Sequence, residues 1–154
     1  MCRKKICLIS SSGGHLEQIR QLKGISERYD CFYVVTRTKA TEAMKQRRYI
    51  VSDLVRKNRA AMLFRMLKMV FEQFIVFFRE RPDNILTTGA AVAIPMCVIG
   101  KIFRKKVIYI ESFARMTMPS KTGLFVYKFA DLFIIQWEEL KKYYPRAVYG
   151  GAIY

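Results

Sequence analysis

The segment Ser10-Ser11-Ser12-Gly13-Gly14-His15 separates an apolar stretch, Ile6-Cys7-Leu8-Ile9, from a helical pattern that opens at Leu16-Glu17-Gln18-Ile19. Two adjacent glycines leave backbone N–H groups open to close approach by a phosphate, and a helix N-terminus adds partial positive charge. Ser11, Ser12, Gly13 and Gly14 are therefore candidate anion ligands. His15, the single histidine of the chain, stands at the mouth of that helix, where a neutral imidazole can act as a general base. Thr87-Thr88-Gly89-Ala90-Ala91 repeats the device: a small-residue turn, with Gly89 as a candidate ligand, opens a helix that admits Pro95 in its first turn. A tight strand-to-helix turn explains this second segment equally well. The third candidate is Glu111, at the end of the apolar run Val107-Ile108-Tyr109-Ile110. A carboxylate there is costly unless it is solvated, paired or employed. Arg115 is the expected partner, and a structural ion pair and a catalytic role for Glu111 both stand open.

Other chemistries fit poorly. The turn lacks G-x-G-x-x-G, and the second strand ends in Thr36-Arg37 with no acid for a ribose. Arg37 keeps an NADP-binding reductase as a minor alternative. No Gly-Lys-Ser/Thr follows the glycines, and no G-x-S-x-G elbow occurs. Cys2, Cys7, Cys31 and Cys97 have no C-x-x-C spacing and read as reduced, packed thiols. No metal site and no cofactor is expected.

Positioning these residues requires a scaffold. Strands are predicted at 5–10, 31–36, 49–51, 84–88, 106–111, 131–136 and 147–149, with helices at about 15–27, 40–47, 56–80, 90–103, 120–130 and 137–143. Strands that are apolar throughout and alternate with helices indicate an α/β protein with a Rossmann-like open parallel sheet, covered on both faces. The 154 residues suit one domain. Ligands of such sheets bind beyond the C-terminal strand ends, which is where His15, Gly89, Glu111 and Arg115 fall.

The chain carries 28 Lys and Arg against 12 Asp and Glu, a net charge of +16, although 52% of it is hydrophobic. That combination calls for an anionic partner: nucleic acid, an anionic membrane or a phosphorylated substrate. A basic nucleic-acid-binding module is the alternative reading, but no helix-turn-helix, zinc-finger or RNP pattern occurs. No signal peptide is visible, and no segment has the roughly 18 uninterrupted apolar residues of a membrane span. Between Asn58 and Phe78 the polar residues Asn58, Arg65, Lys68 and Glu72 share one stripe with Arg79, and nearly everything else is apolar. So wide an apolar surface must be covered by more than a sheet: by neighbouring helices, by lipid or by a partner.

Four of these segments, in order, resemble the PssD/CpsF-type polysaccharide-biosynthesis proteins: Ser-Gly-Gly-His, Thr-Thr-Gly-Ala, Tyr109-Ile110-Glu111-Ser112-Phe113-Ala114-Arg115, and the ending Trp137 to Tyr149-Gly150-Gly151-Ala152-Ile153-Tyr154. Those proteins are similar to the membrane-associated subunit of the two-piece eukaryotic N-acetylglucosaminyltransferase and to the N-terminal domain of MurG. The resemblance implies the acceptor-side half of a split GT-B glycosyltransferase, at the cytoplasmic face of the membrane and peripherally attached. A separate nucleotide-sugar-binding subunit would complete it, and the acceptor would be a polyprenyl-diphosphate-linked sugar. Ser11 to Gly14, Gly89 and Arg115 would then hold the acceptor diphosphate, Arg115 also orienting Glu111. His15 and Glu111 would be the catalytic candidates, and Ala152, Ile153 and Tyr154 would contact the partner. MurG-like enzymes place His-Glu-Gln-Asn where this chain has Ile110-Glu111-Ser112-Phe113, so only the glutamate carries over.

Overall fold

The computed structural model describes residues 3–53 and 59–153, with the backbone alone at 59 and 60. Cys2, Asn58, Tyr154 and the expected helical start at 56–58 lie outside the described residues. Seven parallel strands form one sheet: β1 (Lys5–Ser10), β2 (Asp30–Thr36), β3 (Arg48–Val51), β4 (Asn84–Thr87), β5 (Lys106–Ile110), β6 (Leu132–Ile135) and β7 (Val148–Tyr149). Their order is β3-β2-β1-β4-β5-β6-β7, so the chain reverses direction across the sheet between β1 and β4.

The helices are α1 (Gly14–Gln21), α2 (Lys23–Arg28), α3 (Lys39–Glu42), α4 (Arg59–Glu80), α5 (Ala93–Ile102) and α6 (Lys121–Val126), with a 3₁₀ turn at Glu138–Lys142. Right-handed crossovers running in opposite directions from one point place helices on opposite faces. Alternation along β1 shows the result: Cys7 and Ile9 join the core under α4, α5 and α6, with Met69, Met96 and Val126. Ile6 and Leu8 join the other core with Leu16 and Ile19 of α1. Buried Cys7 and Cys97 are packed, reduced thiols; burial raises both, Cys97 up to about 12.

The expected helix at 15–27 is broken at Leu22, whose ψ of 50° leaves the helical range. The expected helix at 40–47 is one turn, closed by reciprocal Thr38–Thr41 hydrogen bonds. Helix α4 differs most from an ordinary sheet cover. Met69, Gln73, Val76 and Phe77 are buried against the sheet, whereas Phe64 is 69% and Phe71 65% exposed. Neighbouring helices therefore leave much of its apolar surface uncovered. Among the described residues no helix is long and apolar enough to cross a membrane.

Candidate functional site

The Ser-Gly-Gly-His turn leaves β1 beside the reversal point. Ser12 N–H donates to Thr36 Oγ1 at 3.1 Å, which ties the turn to the end of β2. Gly13 caps α1 at φ 83°, a left-handed conformation that favours glycine. Its carbonyl accepts from Leu16 and Glu17 N–H, but no side chain caps the helix. Gly13 and Gly14 are exposed, and a Cβ placed at either would meet nothing within 4 Å. An uncapped, open helix start of this kind can receive an anion.

Across the reversal point, Thr88 grips His15 twice. Thr88 O lies 2.9 Å from His15 Nδ1, and Thr88 Oγ1 donates to His15 O at 2.8 Å. A carbonyl oxygen only accepts, so Nδ1 carries the proton and the lone pair of the neutral ring sits on Nε2. Gly89 makes room for this. At φ 112°, a Cβ there would stand 3.2 Å from His15 Cε1 and 3.1 Å from Tyr109 Oη. Thr87 Oγ1 accepts from Gly89 N–H and donates to Gly89 O, holding the turn. Ala90 follows at φ 72°, a strained conformation for a residue with a Cβ. Gly89 therefore lies beneath the imidazole, where its main contribution is clearance.

His15 opens into a cleft of about 610 Å³ whose far wall is the loop after β5, with Ser112, Arg115, Met118, Pro119 and Ser120, and the start of α6 at Lys121. Glu111 builds that wall from beneath. Fully buried, its carboxylate accepts from Ser112 N–H at one end of the loop and from Ser120 N–H and Oγ at the other. Tyr144 Oη donates a fourth hydrogen bond at 2.6 Å, and burial together with this carboxylate pushes the Tyr144 phenol well up. Burial likewise raises Tyr109, whose hydroxyl meets Ser120 Oγ at 3.2 Å. The expected Glu111–Arg115 ion pair does not form among the described residues. Four neutral donors satisfy the carboxylate, and Arg115 is exposed on the cleft rim. Trp137 Nε1 donates to Phe113 O at 2.7 Å and fastens the loop from its other side.

Ser120, Lys121 and Tyr144 are not among the expected site residues, whereas Thr88 is, through its place in the second glycine turn. Ser120 and Lys121 come from the chain closing back over Glu111 into α6, and Tyr144 from just after the 3₁₀ turn that follows β6. Arg37 pairs with Glu42 at 3.0 Å and lines a different hollow with Ser52, Arg65 and Lys68. Ile153, expected at a partner, is half-buried: its N–H donates to Gln136 Oε1 at 3.2 Å, while Gln136 Nε2 donates to Glu111 O. Ala152 is exposed, and Tyr154 lies outside the described residues. Among the described residues no cluster of His, Cys, Asp and Glu could hold a metal ion.

Residues 6–153 match the family described as oligosaccharide biosynthesis protein Alg14 like. The chain belongs to the Alg14 family. It is 29% identical to the Homo sapiens UDP-N-acetylglucosamine transferase subunit ALG14 over 96% of its own length and 82% of that protein. The Candida albicans subunit of the same name is 35% identical over 51% of this chain and 39% of the relative. Among solved structures, Acinetobacter baumannii MurG superposes with a TM-score of 0.71 at 18% identity, over 88% of this chain and 42% of MurG. UDP-N-acetylglucosamine 2-epimerase from Rickettsia bellii gives 0.71 at 13% identity, over 93% of this chain and 41% of the epimerase. These likenesses establish the fold: a Rossmann-like α/β sheet of the kind that forms the N-terminal domain of GT-B glycosyltransferases. The family match supports a transferase subunit and lends the nucleic-acid alternative nothing.

Proposed function

We propose that this Alg14-family chain is the acceptor-side subunit of a two-chain glycosyltransferase. In this reading it extends a polyprenyl-diphosphate-linked sugar for capsule or exopolysaccharide at the cytoplasmic face of the membrane, to which it attaches peripherally. The relatives' name makes UDP-N-acetylglucosamine the first donor to test. A partner chain would supply the nucleotide-sugar site, with Ala152, Ile153 and Tyr154 contributing to the contact.

The observation that carries this reading is the clamp on His15: Thr88 holds Nδ1, leaving the basic Nε2 beside a cleft and next to unused helix-start amides. The amides of Gly14 and His15 would receive one face of the acceptor diphosphate. Ser11, Ser12 and Gly13 shape that cradle, and Arg115 and Lys121 neutralise charge from the opposite wall. The acceptor hydroxyl then gives its proton to His15 Nε2 while its oxygen bonds to the anomeric carbon of the donor sugar. The nucleoside diphosphate leaves on the partner subunit. Glu111, sealed under the loop, serves this chemistry by holding the wall that carries Arg115.

The test is sugar transfer by the chain and its partner, reconstituted with an undecaprenyl-diphosphate-linked sugar. His15→Asn keeps an N–H donor near the Nδ1 position for Thr88 but removes the Nε2 lone pair. It should fold normally and lose about 10²-fold or more in turnover. Normal turnover would remove His15 from the chemistry.

A further inference from the structure

We infer that α4 lies flat in the surface of an anionic bilayer, immersing a second apolar face along its whole length. This rests on the membrane attachment proposed above and names the surface that makes it. At about 100° per residue, the helix divides into three sides. Met69, Gln73, Val76, Phe77 and Glu80 fall on the side buried against the protein. Leu63, Phe64, Phe71, Phe74, Ile75 and Phe78, all exposed, fall on an adjoining arc about 120° wide. The remaining strip holds Arg65, Lys68, Glu72 and Arg79. One apolar side of a helix is the ordinary consequence of packing on a sheet; a second one needs another apolar medium.

Charge selects the occupant. The strip bordering the exposed arc has three cations and one acid; Glu72 accepts from Ser52 N–H and Oγ at 2.7 and 3.0 Å and pairs with Lys68 at 3.9 Å, so the strip keeps a net positive charge. A second copy docked antiparallel on this face would bring Arg65 and Lys68 of one helix toward Arg79 of the other. Lipid phosphates meet the same strip with opposite charge, as with other basic amphipathic helices in the interface. The length of the arc selects the orientation. Phe64 and Phe78 are separated by about 21 Å of helix, and Phe103 extends the patch at the far end, its ring 5.0 Å from that of Phe78. Immersing both ends requires the helix axis to lie in the membrane plane. Because α4 runs antiparallel to the strands that flank it in the chain, the strands then also run along the bilayer. The His15 cleft, at the C-terminal ends of those strands, then opens along the bilayer and not down into it.

Depth-dependent quenching by brominated lipids tests this in the full chain. Phe64→Trp and Phe78→Trp are compared, each against the wild type with its own Trp137, on phosphatidylglycerol vesicles. Both new tryptophans should be quenched, and at the same depth. Quenching of Phe64→Trp alone overturns the flat orientation. Quenching of neither, while the wild type still floats with vesicles, overturns α4 as the surface and leaves attachment standing. A wild-type chain that does not float overturns both. The double variant Phe71→Ser/Phe74→Ser should keep its circular dichroism and lose about 100-fold in vesicle partitioning, roughly tenfold per ring. Unchanged partitioning overturns the proposal. So does light scattering that finds a dimer of the wild type abolished by the same variant, which would assign the face to a second copy.

Discussion

Replacing Gly14 with valine separates folding from anion binding, because the two respond in opposite ways. Gly14 opens α1 without a left-handed φ, and a Cβ built there meets no atom within 4 Å. Glycine costs about 1 kcal/mol in a helix relative to alanine and valine about 0.6 kcal/mol, so the exchange leaves stability within about 0.5 kcal/mol of wild type. For a domain of this size that is a shift in Tm of roughly 1–2 °C. The space the valine enters is the approach to the Gly14 and His15 amides. Losing one amide-to-phosphate hydrogen bond costs about 1.5–3 kcal/mol, so kcat/KM for the lipid-linked acceptor should fall about 10- to 150-fold. KM for the nucleotide sugar should stay unchanged, since the partner binds it. The assay is transfer from radiolabelled UDP-sugar by the reconstituted pair, alongside thermal melts of the isolated chain. Gly13→Ala is the contrasting control: at φ 83° its Cβ strains the backbone by about 1–2 kcal/mol, so it should lower Tm by several degrees. A Gly14→Val protein with normal Tm and normal acceptor kinetics would refute the cradle.

Four other outcomes are expected. Glu111→Gln puts an amide among four hydrogen-bond donors and should destabilise the fold by about 2–4 kcal/mol. Turnover per folded molecule should survive at low temperature, whereas a thermally normal but inactive Gln variant would make Glu111 catalytic. Gly89→Ala should displace the imidazole by pressing on Cε1, seen as a shifted His15 ring resonance in NMR spectra and a loss of turnover approaching that of His15→Asn. At the opposite sheet edge, burial alone would raise Glu80, but hydrogen bonds from Tyr49, Lys5 and Arg47 hold its carboxyl below the ordinary range. A depressed carboxylate stabilises the fold above its unfolded pKa of about 4.3 and loses that contribution as the pH falls further; melts from pH 7 to 3 should therefore show an acid limb that Glu80→Gln flattens. Ile153→Ser should weaken co-purification with the nucleotide-sugar subunit while the chain still folds, and undiminished co-purification would take Ile153 out of the partner contact.

The sequence by itself determined the strands and the end of the sheet at which chemistry sits. Apolar runs such as Ile6–Ile9 and Val107–Ile110 can satisfy their surroundings only inside a two-faced parallel sheet, so β1 and β5 begin where the pattern begins. The Ser-Gly-Gly-His turn was legible for the same reason: φ 83° at Gly13 is a local demand, met by a local residue choice. Tertiary structure alone decided what the polar residues do. Arg115, four positions from Glu111, looked like its partner along the chain, yet the carboxylate is satisfied by Ser120 and Tyr144, 9 and 33 residues away. His15 acquires its tautomer from Thr88, 73 residues distant, because the strand order brings β1 beside β4. The periodicity of α4 showed a surplus of apolar surface but not which part stays exposed, since that depends on how much of the helix α5 and β3 can cover. Backbone conformation is set by neighbours in sequence, whereas hydrogen-bond partners and burial are set by neighbours in space, and the strand order chooses those.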